Sequence, residues 1–372
     1  MPVPLSILDL ANVVAGGTTG DALHRSIDLA RHAEDAGYAR YWVAEHHFTA
    51  GVASSQPALL LGQIAAATDR IRLGSGAVQT GHQTPLSIVE QFGLLDALYP
   101  GRFDLGLGRS GQSRQEALAA PRAPVPDAEE RVVDGLLIPK PFSFVKLYAS
   151  GRSKLLMPLL RQPGAETPPF AETLDQIEAL LAGPITDDLG NAGSAVPGEG
   201  ADLQIWLLGS SGGESARAAG ERGLPFAANY HVAPATVLEA VAAYRAAFRP
   251  SKALAAPHVM VSADVVVAPD DATARELAEP FAVWVHSIRT TGEAVPFPSR
   301  EQAAAHVWDQ RGRDLVADRV RTQFVGAPAT VAERLRTLQR VTGADELLVT
   351  TMTYHHTDRV RSFELLAKEW FG

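Results

Sequence analysis

A chain of 372 residues, 46% of them hydrophobic, is long enough to bury a large core, and a net charge of −9 leaves it acidic. Such a chain repels phosphate backbones and anionic lipid, which argues against nucleic-acid and membrane-surface binding. It contains no cysteine, which excludes disulfides, thiolate metal sites and cysteine nucleophiles. The Met1-Pro2-Val3-Pro4 start has no basic region leading into an apolar run. No stretch of about 18 apolar residues occurs, so a cytoplasmic protein is expected.

Pro4 to Leu10 reads as a strand. An amphipathic helix follows over Ala22 to Ala36, with Leu23, Ile27, Ala30 and Ala33 at helical spacing, Asp21 as expected N-cap and Gly37 as expected C-cap. Tyr41 to Ala44 is a second strand, Pro57 to Thr68 a helix, and Ile71 to Ser75 a third strand. Thr84-Pro85 opens a helix reaching about Tyr99, and Phe103 to Gly108 is a fourth strand. Later strands are expected at Gln204–Leu208, Pro225–Tyr230, Val259–Val267 and Glu346–Thr351. Alternation of this kind means parallel strands joined by helical crossovers. Eight such units over nearly the whole chain favour an α/β fold of the (β/α)8 TIM-barrel type over an open sheet. Residues 111–201 break the rhythm with crowded prolines, and Thr290 to Arg313 is a second irregular stretch. The first lies on the face where barrels keep their active sites. The expectation is one barrel domain over 1–372, with a long insertion after strand four, inside 111–201, that acts as a lid.

Four segments could carry chemistry. Glu45-His46-His47 ends the second strand, where alternation would turn one histidine to the barrel mouth and leave the other as a brace. Histidine suits proton management near neutrality. A metal site would need a third ligand, for which only scattered residues such as His231, His355 and His356 offer themselves, so no metal is expected. Gly74-Ser75-Gly76-Ala77 follows strand three, and such small residues either let a backbone approach a flat ligand or pack strands tightly. Gly106-Leu107-Gly108-Arg109 and Leu208-Gly209-Ser210-Ser211-Gly212-Gly213 end two further strands. Glycines and hydroxyls entering a helix form an anion nest that an arginine from another strand end can complete. Neither segment is a Walker loop or a dinucleotide fingerprint, so the phosphate of a mononucleotide fits best.

In order, Trp42-Val43-Ala44-Glu45-His46-His47-Phe48, Arg72 to Ala77, Pro100 to Arg109 and Trp206 to Ser211, followed by Gly223-Leu224-Pro225-Phe226, resemble the bacterial luciferase-like flavin-dependent monooxygenases. The resemblance is nearest to their small, single-chain-type oxidoreductases. The long insertion is reminiscent of tailoring enzymes of aromatic polyketide biosynthesis, the mensacarcin pathway among them. The resemblance implies a barrel that takes reduced FMN at its C-terminal mouth and molecular oxygen as co-substrate. It also implies a separate NAD(P)H-dependent flavin reductase as partner, a small organic or polyketide substrate, and a homodimer. It makes His46 the catalytic histidine. Glu45, Ser75, Gly76, Ala77, Arg109, Gly209, Ser210 and Ser211 become the cofactor-binding set, with a non-proline cis peptide mapping to Gly76-Ala77. Departures from the family pattern stand at Gly108, where luciferase has a cysteine, at Gly81-His82-Gln83, and at Gly213 in place of a loop threonine. Alternatives are a deazaflavin-dependent hydride-transfer enzyme of the same superfamily, a non-catalytic flavin-binding protein, and a hydrolase or aldolase on the same barrel.

Overall fold

The computed structural model describes residues 2–109 and 129–372. Eight parallel strands close into a barrel: β1 (Leu5–Asp9), β2 (Arg40–Val43), β3 (Arg72–Ser75), β4 (Phe103–Gly108), β5 (Gln204–Gly209), β6 (Phe226–Asn229), β7 (Val259–Val267) and β8 (Glu346–Thr350). Neighbours in sequence pair in space, β8 pairs β1 with Leu5 opposite Leu347, and β4 pairs β5 with Asp104 opposite Gln204. All eight expected strands are present, so the TIM-barrel expectation holds.

The helices α1 (Thr19–Asp35), α2 (Pro57–Ala65), α3 (Pro85–Leu98), α4 (Phe170–Ala182), α5 (Glu214–Glu221), α6 (Val237–Ala247), α7 (Asp271–Thr291), α8 (Gln310–Thr322), α9 (Pro328–Thr342) and α10 (His356–Phe371) surround the barrel. The cap of α1 lies earlier than expected. Thr18 is the N-cap, and Asp21 closes a capping box by accepting from the Thr18 N–H. Ala36 is the C-cap and Gly37 the left-handed residue beyond it, with φ of 87°. The interruption after β4 is shorter than 111–201. Its last helix, α4, packs on α3 and is the crossover leading to β5. Positions 111–128 of the expected insertion lie outside the described residues. The described remainder includes a hairpin of Arg131–Val133 with Leu136–Ile138 and short helices at Val145–Tyr148 and Gly151–Leu156. Among the described residues no helix is long and apolar enough to cross a membrane.

Strand alternation sorts side chains into two cores. Leu5, Ile7, Tyr41, Val43, Val261, Val265, Leu347 and Val349 face the helices. Leu8, Trp42, Trp206, Met260 and Leu348 fill the barrel interior, and Phe281 and Trp284 of α7 belong to the same apolar cluster. The N-terminal end of the interior is plugged by a charged layer. Arg40 donates to Asp104 Oδ2 and Gln204 Oε1, each at 2.7 Å, and to Glu346 Oε1 at 3.1 Å. Arg72 and the Trp42 indole N–H complete the partners of Asp104. Burial works against the charge of Glu346, but His258, Arg40 and Ser6 outweigh it and hold its carboxyl below the usual range. Among the described residues, the space open within the barrel is therefore at the other end.

Candidate active site

At the C-terminal mouth lies a cavity of about 410 Å³ to which every strand or strand end contributes: Leu8, His46, Gly76, Gly108, Leu208, Ala228, Ser262 and Leu348, in chain order. Its floor is the top of the inner core, since Leu8, Leu208, Ala227 and Leu348 belong to both. Tyr148, from the interruption after β4, closes one side. Of the residues singled out from the sequence, Glu45, His46, Gly76, Ala77, Arg109, Gly209, Ser210 and Ser211 line this one cavity.

Ser75 does not line it. Its hydroxyl donates to Gly106 O at 2.9 Å and accepts from Gly106 N–H at 3.0 Å, which latches β3 to β4. Gly74 also serves packing, because a Cβ there would stand 2.6 Å from the Trp42 indole nitrogen. The four-residue cluster thus divides. Its first half joins strands, and its second half, Gly76-Ala77, meets the cavity across a cis peptide bond.

Strand β2 ends at Val43, so Glu45 and His46 are presented by the segment beyond it, and both reach the cavity. His47 is the brace: its Nε2 lies 2.8 Å from Glu45 Oε1. Glu45 Oε2 accepts from Gln79 N–H at 2.9 Å, and His82 Nδ1 stands 3.6 Å from Oε1. Burial penalises the Glu45 carboxylate, yet His47, His82 and the Gln79 N–H outweigh it and keep its pKa lowered. Glu45, His47 and His82 bring their ligand-type atoms within 4.8 Å of one another, a set that spacing alone did not reveal. Both carboxylate oxygens are already engaged, so we read the trio as a hydrogen-bonded brace for the His46 segment. The His46 ring is open to the cavity but ringed by protein. That desolvation lowers its pKa against the opposing pull of Glu45 and favours neutral imidazole.

The segment carrying His46 is clamped from outside. Thr49 Oγ1 donates to Ala294 O at 3.0 Å and accepts from Ala294 N–H at 2.9 Å, and Gly51 N–H donates to Ala294 O at 2.7 Å. Arg152 donates to Phe48 O and pairs with Glu293 at 3.1 Å. Phe48 itself sits at φ of 54°, a left-handed conformation that these contacts hold in place.

Arg109 and the Ser210-Ser211 hydroxyls lie at another part of the cavity. The guanidinium contacts Glu214 Oε2 at 2.5 Å and stands 5.7 Å over the Phe170 ring. A further wall residue, His231, carries more than its sequence position suggests. Its Nδ1 lies 2.7 Å from Ser262 Oγ. Burial first, then Arg319 and His46, push its pKa down from 6.5 to about 3. The signal available in sequence was a histidine two residues past a strand end, which is weak without its partner on β7. Because its folded pKa is depressed, the unfolded chain takes up a proton below 6.5 that the folded chain refuses. His231 therefore lowers stability as pH falls through that value. Ring resonances of His231 that stay constant from about pH 8 to about pH 5 are expected by NMR, and a titration near the ordinary histidine value would contradict the burial argument.

The chain matches the luciferase-like monooxygenase family over residues 3–134 and 163–346. It belongs to the luciferase-like monooxygenase family. It is 36% identical to the Bacillus subtilis (strain 168) protein YvbT over 367 residues, covering 98% of this chain and 96% of that one. A luciferase-like monooxygenase of Escherichia coli (strain K12) is 34% identical over 363 residues, again covering 98% and 96%. Among solved structures, apo-MsnO8 superposes with a TM-score of 0.75 at 30% identity, covering 99% of this chain and 98% of that one. Identity at this level carries the family and not a particular pathway. The oxygenating constituent of 3,6-diketocamphane monooxygenase, solved with FMN, and an F420-dependent secondary alcohol dehydrogenase share the fold, with TM-scores of 0.61 and 0.60 at 18% and 15% identity. Flavins of both kinds thus occur on this fold.

Proposed function

We propose that this luciferase-like family member is an oxygenase that takes reduced FMN and molecular oxygen as co-substrates and inserts one oxygen atom into a small organic molecule. The observation that carries this is the convergence of His46, Arg109, Ser210 and Ser211 on one cavity at the barrel mouth. The donor set fits FMN. A guanidinium and two hydroxyls suit a single phosphate, Gly76-Ala77 offers a wall without bulky side chains for a flat ring, and Glu45, His46 and Gln79 supply polar partners for its edge. Bound reduced FMN would supply the two electrons with which oxygen is split between product and water.

The chain's own part is positional. Leu8, Leu208, Ala227 and Leu348 make a dry floor under the reacting groups. The neutral imidazole of His46 accepts a proton from the substrate or from activated oxygen and returns it as the product forms. Tyr148, in the described part of the interruption, closes one side of the mouth, and residues 1–372 are taken as one barrel unit with its own lid. An NAD(P)H-dependent reductase would deliver the reduced flavin, and two copies of the chain would pair as a dimer. Substrates are taken to be aldehydes, ketones or aromatic polyketides.

Anaerobic titration with reduced FMN and with reduced deazaflavin, followed by ¹⁸O₂ and a panel of such substrates, tests the reading. FMN binding with ¹⁸O in one product is expected. Binding of the deazaflavin alone, with hydride transfer and no ¹⁸O, would move the chain to the other branch of the superfamily. Turnover without any reductant or oxygen would make it a hydrolase or aldolase.

A further inference from the structure

The part of the cavity suited to an anion contains a guanidinium that already holds a carboxylate. Arg109 contacts Glu214 at 2.5 Å, with the arginine side chain 8% exposed and the glutamate 35%. Glu214 is the first residue of α5, so its carboxylate also sits in the positive end of that helix. A glutamate there needs no guanidinium for stabilisation, so the Arg109 contact is additional to what the helix requires. A second acid acts on the same loop: Gly212 N–H donates to Glu239 Oε1 of α6 at 3.2 Å. A Cβ on Gly212 would stand 2.8 Å from that oxygen, so loop and carboxylate are in close contact. One acid thus engages the guanidinium at the cavity, and a second, from α6, holds the loop that carries Ser210 and Ser211 from behind.

We infer that Glu214 is a displaceable occupant of the anion site, which holds Arg109 in place in the free chain and gives way when a phosphate-bearing ligand enters. This rests on the cofactor reading above and deepens it. The partial exposure of Glu214 leaves it room to swing into solvent. What a phosphate gains from Arg109 is reduced by the lost Arg109–Glu214 contact and by repulsion between two anions near one guanidinium. The phosphate therefore adds little to affinity, and FMN binds only slightly better than riboflavin, which lacks the phosphate. That setting suits a reduced flavin that has to exchange at each turnover.

Equilibrium binding of FMN and of riboflavin to the full chain, followed by flavin fluorescence, tests this. Glu214→Gln keeps the side-chain size and removes the charge. It is expected to bind FMN about tenfold tighter, ~1.4 kcal/mol, with riboflavin affinity unchanged. Glu214→Ala should act in the same direction, and Glu221→Gln, at the far end of α5, should alter neither flavin. Circular dichroism of each variant confirms that it is folded. Unchanged or weaker FMN binding in both Glu214 variants would make Glu214 a fixed support of Arg109 and overturn the inference, leaving the cofactor reading intact. A wild-type chain that binds neither flavin would bring down the cofactor reading and this inference together.

Discussion

Replacing Arg359 with methionine should cost about 3–5 kcal/mol of folding stability, the range for removing one partner of a buried ion pair. Arg359 lies on α10 and is 4% exposed, while Asp9, at the end of β1, is fully buried. The guanidinium donates to Asp9 Oδ1 at 2.7 Å and to Thr351 O at 2.9 Å. Methionine fills most of the space but leaves Asp9 with neutral partners, the Tyr41 hydroxyl at 2.6 Å, the Ala11 N–H at 2.8 Å and the Ser26 hydroxyl. Those bonds do not offset a buried charge. Adding Asp9→Asn to Arg359→Met should recover part of the loss, because the charge goes with its partner.

The pH dependence separates this account from a simple packing defect. In the wild type, burial pushes the Asp9 pKa up, but Arg359, Ser26 and Tyr41 prevail and hold it below 3.8. A depressed folded pKa contributes stability above the unfolded value and loses it as pH falls through the folded one, so the wild-type contribution fades below about pH 4. In the variant burial acts without the guanidinium and the sign reverses. Its deficit should be full at neutral pH and shrink on acidification, as protonation relieves the buried charge. Urea denaturation of both proteins from about pH 4 to pH 8 measures this. A deficit below about 1 kcal/mol, or one independent of pH, would show that the pair does not act as argued.

Removing His46 is expected to have the larger effect on turnover. A positioned general acid or base contributes about 10²–10⁴-fold, and His46 is a cavity-facing imidazole with a lowered pKa. His46→Ala and His46→Asn should both lower kcat at saturating FMN by at least about 10²-fold, a loss that added flavin does not restore. Asparagine retains polarity but cannot take up a proton, so a role in packing or hydrogen bonding alone would leave it nearly active. The lowered pKa keeps the base form populated below 6.5, so the acidic limb of the wild-type pH profile should fall below that value. The rate of ¹⁸O incorporation under a steady supply of reduced FMN is the measurement. Unchanged turnover in both variants would revive the reading of a flavin-binding protein without catalysis.

The barrel was legible because its strands are short, apolar and bounded by glycine or proline, and because β7 is buried along its whole length. Helix α4 was not legible. Pro168 and Pro169 read as breakers, whereas Pro169 is the N-cap residue from which α4 starts. At the site, residue types and order suggested the His46, Arg109 and Ser210-Ser211 convergence, but local pattern does not give direction. Ser75 sits among cavity residues and turns to Gly106 instead. His231, named only as a scattered metal-ligand candidate, and Glu214 were not placed at the cavity for a related reason. Each acquires its role from a partner distant in sequence, Ser262 on β7 and Arg109 after β4. An acid in a first helical turn has a sufficient local explanation in the helix dipole, which hides any second use.

Because β4 pairs with β5, the eight main strands close on themselves and none of them ends the barrel wall. Its backbone N–H and C=O groups offer no template on which another chain could add a strand. Edges remain on the added strands Val78–Gln79 and Phe324–Gly326 and on the hairpins of Arg131–Val133 with Leu136–Ile138 and of Ile185–Thr186 with Ala192–Gly193, but each of these strands is only two or three residues long. Among the described residues, association between copies would then rest less on shared strands than on side chains of the outer helical coat, where it can be altered by surface substitution without disturbing the cavity within.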